Sequence, residues 1–231
     1  MCGRFTNQFT WRELVELYGI TEPYLTPISN FQPRFNFAPM QEQIVIRRDR
    51  SHRREPVLMR WGLVPSWASD KSGAAKCINA KAETVEERPS FRDAFRYRPC
   101  LVPADGFYEW LKIGAGQKQP FFLTTKDREP FAFAGLWDWW RPRGAPDEAP
   151  NLETFAILTT HPNAVCAPIH DRMPVMLARE DWSHWLGTPE ERKCVLEHAM
   201  FPAERMECWP VGKSVGNFQN EGPQLIVRIA A

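Results

Sequence analysis

The residue with the most chemistry in this 231-residue chain is its second, Cys2, in the opening run Met1-Cys2-Gly3-Arg4-Phe5. Cysteine is small enough that removal of Met1 is the expected fate of such an amino terminus. Removal leaves Cys2 with a free α-amine and a thiol on adjacent carbons, a 1,2-aminothiol that no internal cysteine can supply. With unperturbed pKa values of about 7.7–8.0 for the amine and about 8.5 for the thiol, both are partly nucleophilic near neutral pH. An aldehyde meeting the pair can form a Schiff base with the amine, and the sulfur can then close a five-membered thiazolidine ring. The other use is attack of the thiol on an acyl group, with its own amine as base. Position alone favours a plainer alternative, a cysteine with no special role, so the supporting groups decide.

Glu109 sits in an aromatic run, Phe107-Tyr108-Glu109-Trp110. A carboxylate partly desolvated there has a raised pKa and suits proton transfer near neutrality. The alternative is a glutamate on the solvent side of an alternating strand, and the residues alone favour it. His170 is flanked by Asp171 and Arg172 and titrates where it can give up a proton, although a lone histidine is more often structural. Asn79 can hydrogen-bond the Cys2 amine, or cap a turn.

These groups need a scaffold. The chain is long enough for a substantial core; it is 43% hydrophobic and 25% charged, with a net charge of +1. A nucleic-acid ligand would therefore need cations gathered on one face. Cys2, Cys77, Cys100, Cys166, Cys194 and Cys208 are scattered without a C-x-x-C pair, which argues against a zinc ribbon and for free thiols in a reducing, cytoplasmic compartment. No basic-then-apolar leader or membrane-length apolar run occurs.

Thr10 to Tyr18 reads as a helix with Thr10 and Glu13 as a capping box and Gly19 as its stop; Thr188-Pro189-Glu190-Glu191 opens another through His198. Ser90 to Arg98 reads as a short helix capped by Ser90 and Asp93. Strand-length apolar runs are Ile44–Arg47, Pro56–Val64, Cys100–Pro103, Gly106–Leu111, Pro120–Thr125, Phe131–Trp137, Phe155–Thr160 and Met173–Leu177. The charged segment 47–54 reads as a solvated hairpin tip, and 141–151 as a surface loop. With strands dominant and no βαβ alternation, the expectation is an α+β fold: one domain over 1–231, a mixed or barrel-like sheet and peripheral short helices.

Five motifs in order resemble the SOS-response-associated peptidase family. They are Met-Cys-Gly-Arg-Phe; Arg34-Phe35-Asn36-Phe37-Ala38-Pro39; Arg60-Trp61-Gly62-Leu63-Val64-Pro65-Ser66-Trp67; Ile78-Asn79-Ala80-Lys81-Ala82-Glu83-Thr84 leading into Pro103 to Trp110; and Thr159-Thr160 with Ile169-His170-Asp171-Arg172-Met173-Pro174. The resemblance implies a sensor of abasic sites in single-stranded DNA, whose amino-terminal cysteine captures the open-chain aldehyde as a thiazolidine crosslink. It implies Cys2, Asn79, Glu109 and His170 as the catalytic set, with Glu109 and His170 also assisting reversal. It implies Arg4, Arg34, Asn36, Lys81, Thr159 and Arg172 as DNA contacts, and Pro39 and Trp67 as apolar groups that stack or wedge against bases. No metal or cofactor is implied. The expected molecule is a monomer, nucleoid-associated in a bacterium, with any peptidase action limited to removal of Met1. Lys81 stands where the family commonly has arginine, which keeps the charge and loses the bidentate fork.

Glutamine amidotransferases that also begin Met-Cys-Gly carry Ile at the fourth position; this chain has Arg4 and no Asn-Gly pair. A non-catalytic single-strand binder with an idle Cys2 is the remaining rival.

Overall fold

The computed structural model describes residues 2–28, 31–114, 116–146 and 148–230. In chain order the elements are β1 (Phe5–Asn7), α1 (Trp11–Tyr18), β2 (Arg34–Phe37), β3 (Glu42–Arg48), β4 (Arg54–Trp61), β5 (Asn79–Lys81), α2 (Arg92–Tyr97), β6 (Pro99–Ala104), β7 (Gly106–Lys112) and β8 (Lys118–Thr125). They continue with β9 (Phe131–Trp140), β10 (Leu152–Thr160), β11 (Met173–Pro174), β12 (Met176–Leu177), α3 (Trp182–Trp185), α4 (Pro189–Glu197) and β13 (Met206–Pro210).

Five strands close into a barrel in the order β3-β4-β10-β9-β6 and back to β3. Four of the pairings are antiparallel, and β10 runs parallel to both β4 and β5. A second sheet, β2-β1-β7-β8-β13, is antiparallel throughout. The barrel-like α+β expectation is met.

Strand alternation explains how one ring serves two cores. On β3, Val45 joins a cluster with Cys2, Phe5, Phe107, Phe133 and Phe155, whereas Ile44 and Ile46 join an outer cluster with Leu14, Tyr18, Trp182 and Trp185. The second sheet thus shares the inner cluster, and the helices cover the outside. Phe5 lies 5.1 Å from Phe37, 5.2 Å from Trp61 and 5.7 Å from Phe133, centroid to centroid, which seats the strand following Cys2 in an aromatic nest.

Both capping boxes form, Thr10 with Glu13 and Thr188 with Glu191, and Gly19 takes the left-handed stop at φ +59°. The third cap does not. α2 starts after Phe91 with no side-chain cap, so the expected Ser90–Asp93 capping pair does not form. The expected 56–64 strand ends at Trp61, because Gly62 turns the backbone at φ +124°. The expected 173–177 strand divides: β11 pairs with β10 and β12 with β9. Val175 bridges the two, donating to Leu158 O and accepting from Ala134 N–H, both at 2.9 Å. Asp147 of the 141–151 loop lies outside the described residues. Among the described residues, no helix is long and apolar enough to cross a membrane.

Candidate active site

β1 carries Cys2 into the interior. The Tyr108 N–H donates to Arg4 O at 3.0 Å and the Asp105 N–H to Thr6 O at 3.1 Å, while the Thr6 hydroxyl donates to Asp105 Oδ1 at 2.6 Å. The strand is thereby locked to the β6–β7 corner, and Cys2 has no exposed surface. Burial pushes its thiol pKa up, and the nearby Glu109 carboxylate pushes the same way. The sulfur is therefore a neutral thiol in this setting. Met1, whose removal the chemistry requires, lies outside the described residues.

Asn79 opens β5, which runs in parallel register with β10. Its side-chain amide donates to the Cys2 carbonyl at 2.8 Å. The segment before it is fixed by the Trp61 indole, which donates to Ile78 O at 2.8 Å. Asn79 Oδ1 is buried and accepts no hydrogen bond among the described residues.

Glu109 is on β7 opposite Phe121 and is only 3% exposed, so the solvent-facing alternative is wrong. Burial raises its carboxyl to about 7, with a further push from the Asp171 carboxylate. His170 Nε2 stands 4.0 Å from Glu109 Oε2. Two contacts at His170 Nδ1 compete: the Arg172 backbone N–H at 3.0 Å, and Asp171 Oδ1 at 2.9 Å. The backbone donor is fixed and needs a lone pair on Nδ1, whereas the Asp171 side chain is largely exposed and can turn away. We therefore assign the neutral ring its proton on Nε2, facing Glu109. Burial lowers the His170 pKa, which favours that neutral ring.

Two residues missed from the sequence hold this histidine. Buried Asn163 accepts from the N–H groups of Val165 and Cys166, each at 3.1 Å, and starts a turn in which Cys166 O accepts from His170 N–H at 3.0 Å. An asparagine before Ala-Val-Cys is an ordinary turn signal, so it did not stand out. Glu83 grips the Arg172 guanidinium with both oxygens at 2.8 Å, and Arg172 also donates to Thr159 O at 2.6 Å. Burial would raise the Glu83 pKa, but the Arg172 fork outweighs it and the net shift is downward. The Glu83–Arg172 pair lies at opposite ends of two expected motifs, and their separation of 89 positions hid the contact.

The expected DNA contacts divide. Lys81 and Trp67 are exposed, Trp67 by 57%, and Pro39 is half-buried at the surface. Asn36 and Thr159 have no exposed surface. Asn36 donates to the carbonyls of Asn217 and Asn220, both at 3.0 Å, and Thr159 supports Arg172. Arg172, 9% exposed, is likewise occupied internally and is a support in this conformation. Arg4 donates to Asn36, Val215 O and Gly216 O, and Arg34 pairs with Glu221 at 2.6 Å. The structure thus gathers Cys2, Asn79, Glu109 and His170 at one place, with Lys81, Thr159 and Arg172 beside them. Arg4, Arg34 and Asn36 clamp segment 215–221. No set of three or more His, Cys, Asp or Glu side chains is arranged for a metal among the described residues.

The SOS response associated peptidase (SRAP) family model matches residues 1–218. The abasic site processing protein YoqW of Bacillus subtilis is 39% identical over 229 residues, covering 98% of this chain and 99% of its own. The abasic site processing protein YedK of Escherichia coli is 32% identical over 232 residues, with 98% and 99% covered. A crystal structure of a Bacteroides thetaiotaomicron protein superposes with a TM-score of 0.84 at 25% identity, over 99% of this chain and all of that one. On the family match across nearly the whole chain and these relatives, the chain belongs to the SRAP family.

Proposed function

We propose that this protein captures abasic sites in single-stranded DNA as a covalent thiazolidine, through Cys2 once Met1 has been removed. The observation that carries the reading is the convergence on Cys2 of a carbonyl-holding amide, Asn79, and a buried carboxyl raised to about 7, Glu109, with the Nε2 of His170 4.0 Å from that carboxyl.

The thiol is kept neutral by burial, so the α-amine attacks first. It adds to the C1′ aldehyde, and proton transfer from nitrogen to oxygen gives a carbinolamine. Protonated Glu109 gives its proton to the departing hydroxyl; water leaves and an iminium remains. The Cys2 sulfur then adds to the iminium carbon and its proton returns to the Glu109 carboxylate. One C–N and one C–S bond form, one water is lost, and Glu109 ends as it began. A carboxyl that titrates near 7 can perform both halves, which is also what reversal requires. His170, with its proton on Nε2, suits donation to the ring oxygen as the closed sugar opens. Lys81 supplies charge for the phosphate backbone and Trp67 a flat surface for a base, the combination that sequence-independent single-strand binding uses.

A Cys2→Ala protein separates this reading from an idle-cysteine binder. It should retain non-covalent binding to a single-stranded oligonucleotide and lose the denaturation-resistant band formed with an abasic one. Persistence of that band would refute the role of Cys2.

A further inference from the structure

The turn from β2 into β3 contains a residue of the wrong type for its backbone. Ala38-Pro39-Met40-Gln41 closes with Gln41 N–H donating to Ala38 O at 3.3 Å, and the Gln41 side chain accepts from Ala38 N–H at 3.0 Å. Met40, the third residue, has φ +70°. Proline second and a left-handed third residue is the pattern of a type II turn, which calls for glycine or asparagine at the third place. A long unbranched side chain in the left-handed region is uncommon, and such outliers gather at functional sites.

The side chain is also provided with a seat. Gly62 follows Trp61, the last residue of β4, and a Cβ there would overlap the Met40 Cε. The seat is tied to the active site. Met40 N–H donates to Trp61 O at 2.8 Å, Trp61 packs on Phe5, and its indole holds Ile78, next to the Asn79 that binds Cys2. Despite that seat Met40 is 38% exposed, and it follows half-buried Pro39 in the turn.

We propose that Met40 is a base-contacting residue: its thioether packs against a nucleobase of single-stranded DNA flanking the lesion, adding a flexible apolar surface to Pro39 and Trp67. Methionine suits this task, because it is polarizable, adapts to irregular surfaces and makes favourable contacts with aromatic rings. The inference rests on the proposed function and deepens it, since it names the part of the substrate that this turn meets.

The test uses a single-stranded oligonucleotide carrying one tetrahydrofuran abasic analogue, which has no aldehyde and reports non-covalent affinity alone. Wild type, Met40→Gly and Met40→Leu are compared by fluorescence anisotropy, with thermal unfolding of each protein measured alongside. Glycine relieves the left-handed backbone and should leave the unfolding temperature equal or higher, while affinity falls about tenfold, a factor within the range of a single base contact. Leucine should restore affinity to within about threefold of wild type, as an apolar surface of similar size. A Met40→Gly protein that binds as wild type does, or whose affinity falls only in step with a lowered unfolding temperature, overturns the proposal. Wild type failing to bind the oligonucleotide would instead remove the DNA reading on which it rests.

Discussion

At the scale of single residues, the chemistry depends on what burial does to three titratable groups. The Cys2 thiol is pushed up, Glu109 is raised to about 7, and His170 is lowered toward neutrality of the ring. The Glu109 shift has a consequence for stability. Below about pH 4.5 the carboxyl is protonated in folded and unfolded chains alike. Between about 4.5 and about 7 the folded protein holds a proton that the unfolded chain releases, so this group's contribution falls as pH rises through that window and is constant above it. Glu109→Gln cannot ionise. Denaturant midpoints should show it gaining on wild type by on the order of 3 kcal/mol between about pH 4.5 and about pH 8. The same variant should slow both formation and reversal of the crosslink, measured on denaturing gels after adding or competing abasic DNA. Parallel stability curves would mean that Glu109 is not desolvated as described, and unchanged rates would strip it of the proton-transfer role. The sequence made Glu109 and His170 visible as candidates but not their meeting, because the aromatic neighbours of Glu109 fit a buried strand and an exposed one equally. Glu83 was invisible for a related reason, since its partner Arg172 lies 89 positions away, and the left-handed angle at Met40 has no local signal.

At the scale of elements, legibility followed the range of the interactions. The capping boxes at Thr10 and Thr188 are settled within four residues, and both helices start where their sequences say. The strand runs were identifiable because their apolar stretches are longer than turns permit. The break at Val175 and the end of β4 at Gly62 were not, since one depends on two partner strands and the other on a positive φ. The element most important to the site is the shortest at the amino terminus: β1, three residues long, positions Cys2 through two backbone hydrogen bonds and the Phe5 nest. Phe5→Ala should therefore destabilise the fold by about 3–5 kcal/mol, the usual range for deleting a buried aromatic side chain. It should also reduce crosslinking more than stability alone explains, when yields are compared at a temperature where the variant is still folded. A loss below about 1 kcal/mol would show that the nest tolerates a void and does not hold β1.

At the scale of the whole molecule, closure of the barrel joins pieces that the chain keeps far apart. The parallel pairing of β10 with β5 puts Thr159 against Lys81 and sets Asn79 beside the same strand, and no local pattern foretells a parallel partner across so many residues. The net charge of +1 means that DNA affinity cannot come from the overall field and must come from a few local cations. Arg4, Arg34 and Arg172 are engaged internally, so the proposed function assigns Lys81 a large share of the phosphate contact. Lys81→Ala should lower the slope of log affinity against log salt by about 0.7, the single-strand value for one phosphate contact. An unchanged slope would move the DNA path away from β5.

The central claim, that a processed Cys2 condenses with an abasic aldehyde, is tested most directly by intact mass spectrometry. The purified protein is weighed before and after incubation with a single-stranded oligonucleotide bearing one natural abasic site. The account predicts a protein lacking Met1 and an adduct equal to protein plus oligonucleotide less one water, absent from Cys2→Ala. A protein that has lost Met1, is otherwise unmodified, and forms no adduct would contradict it.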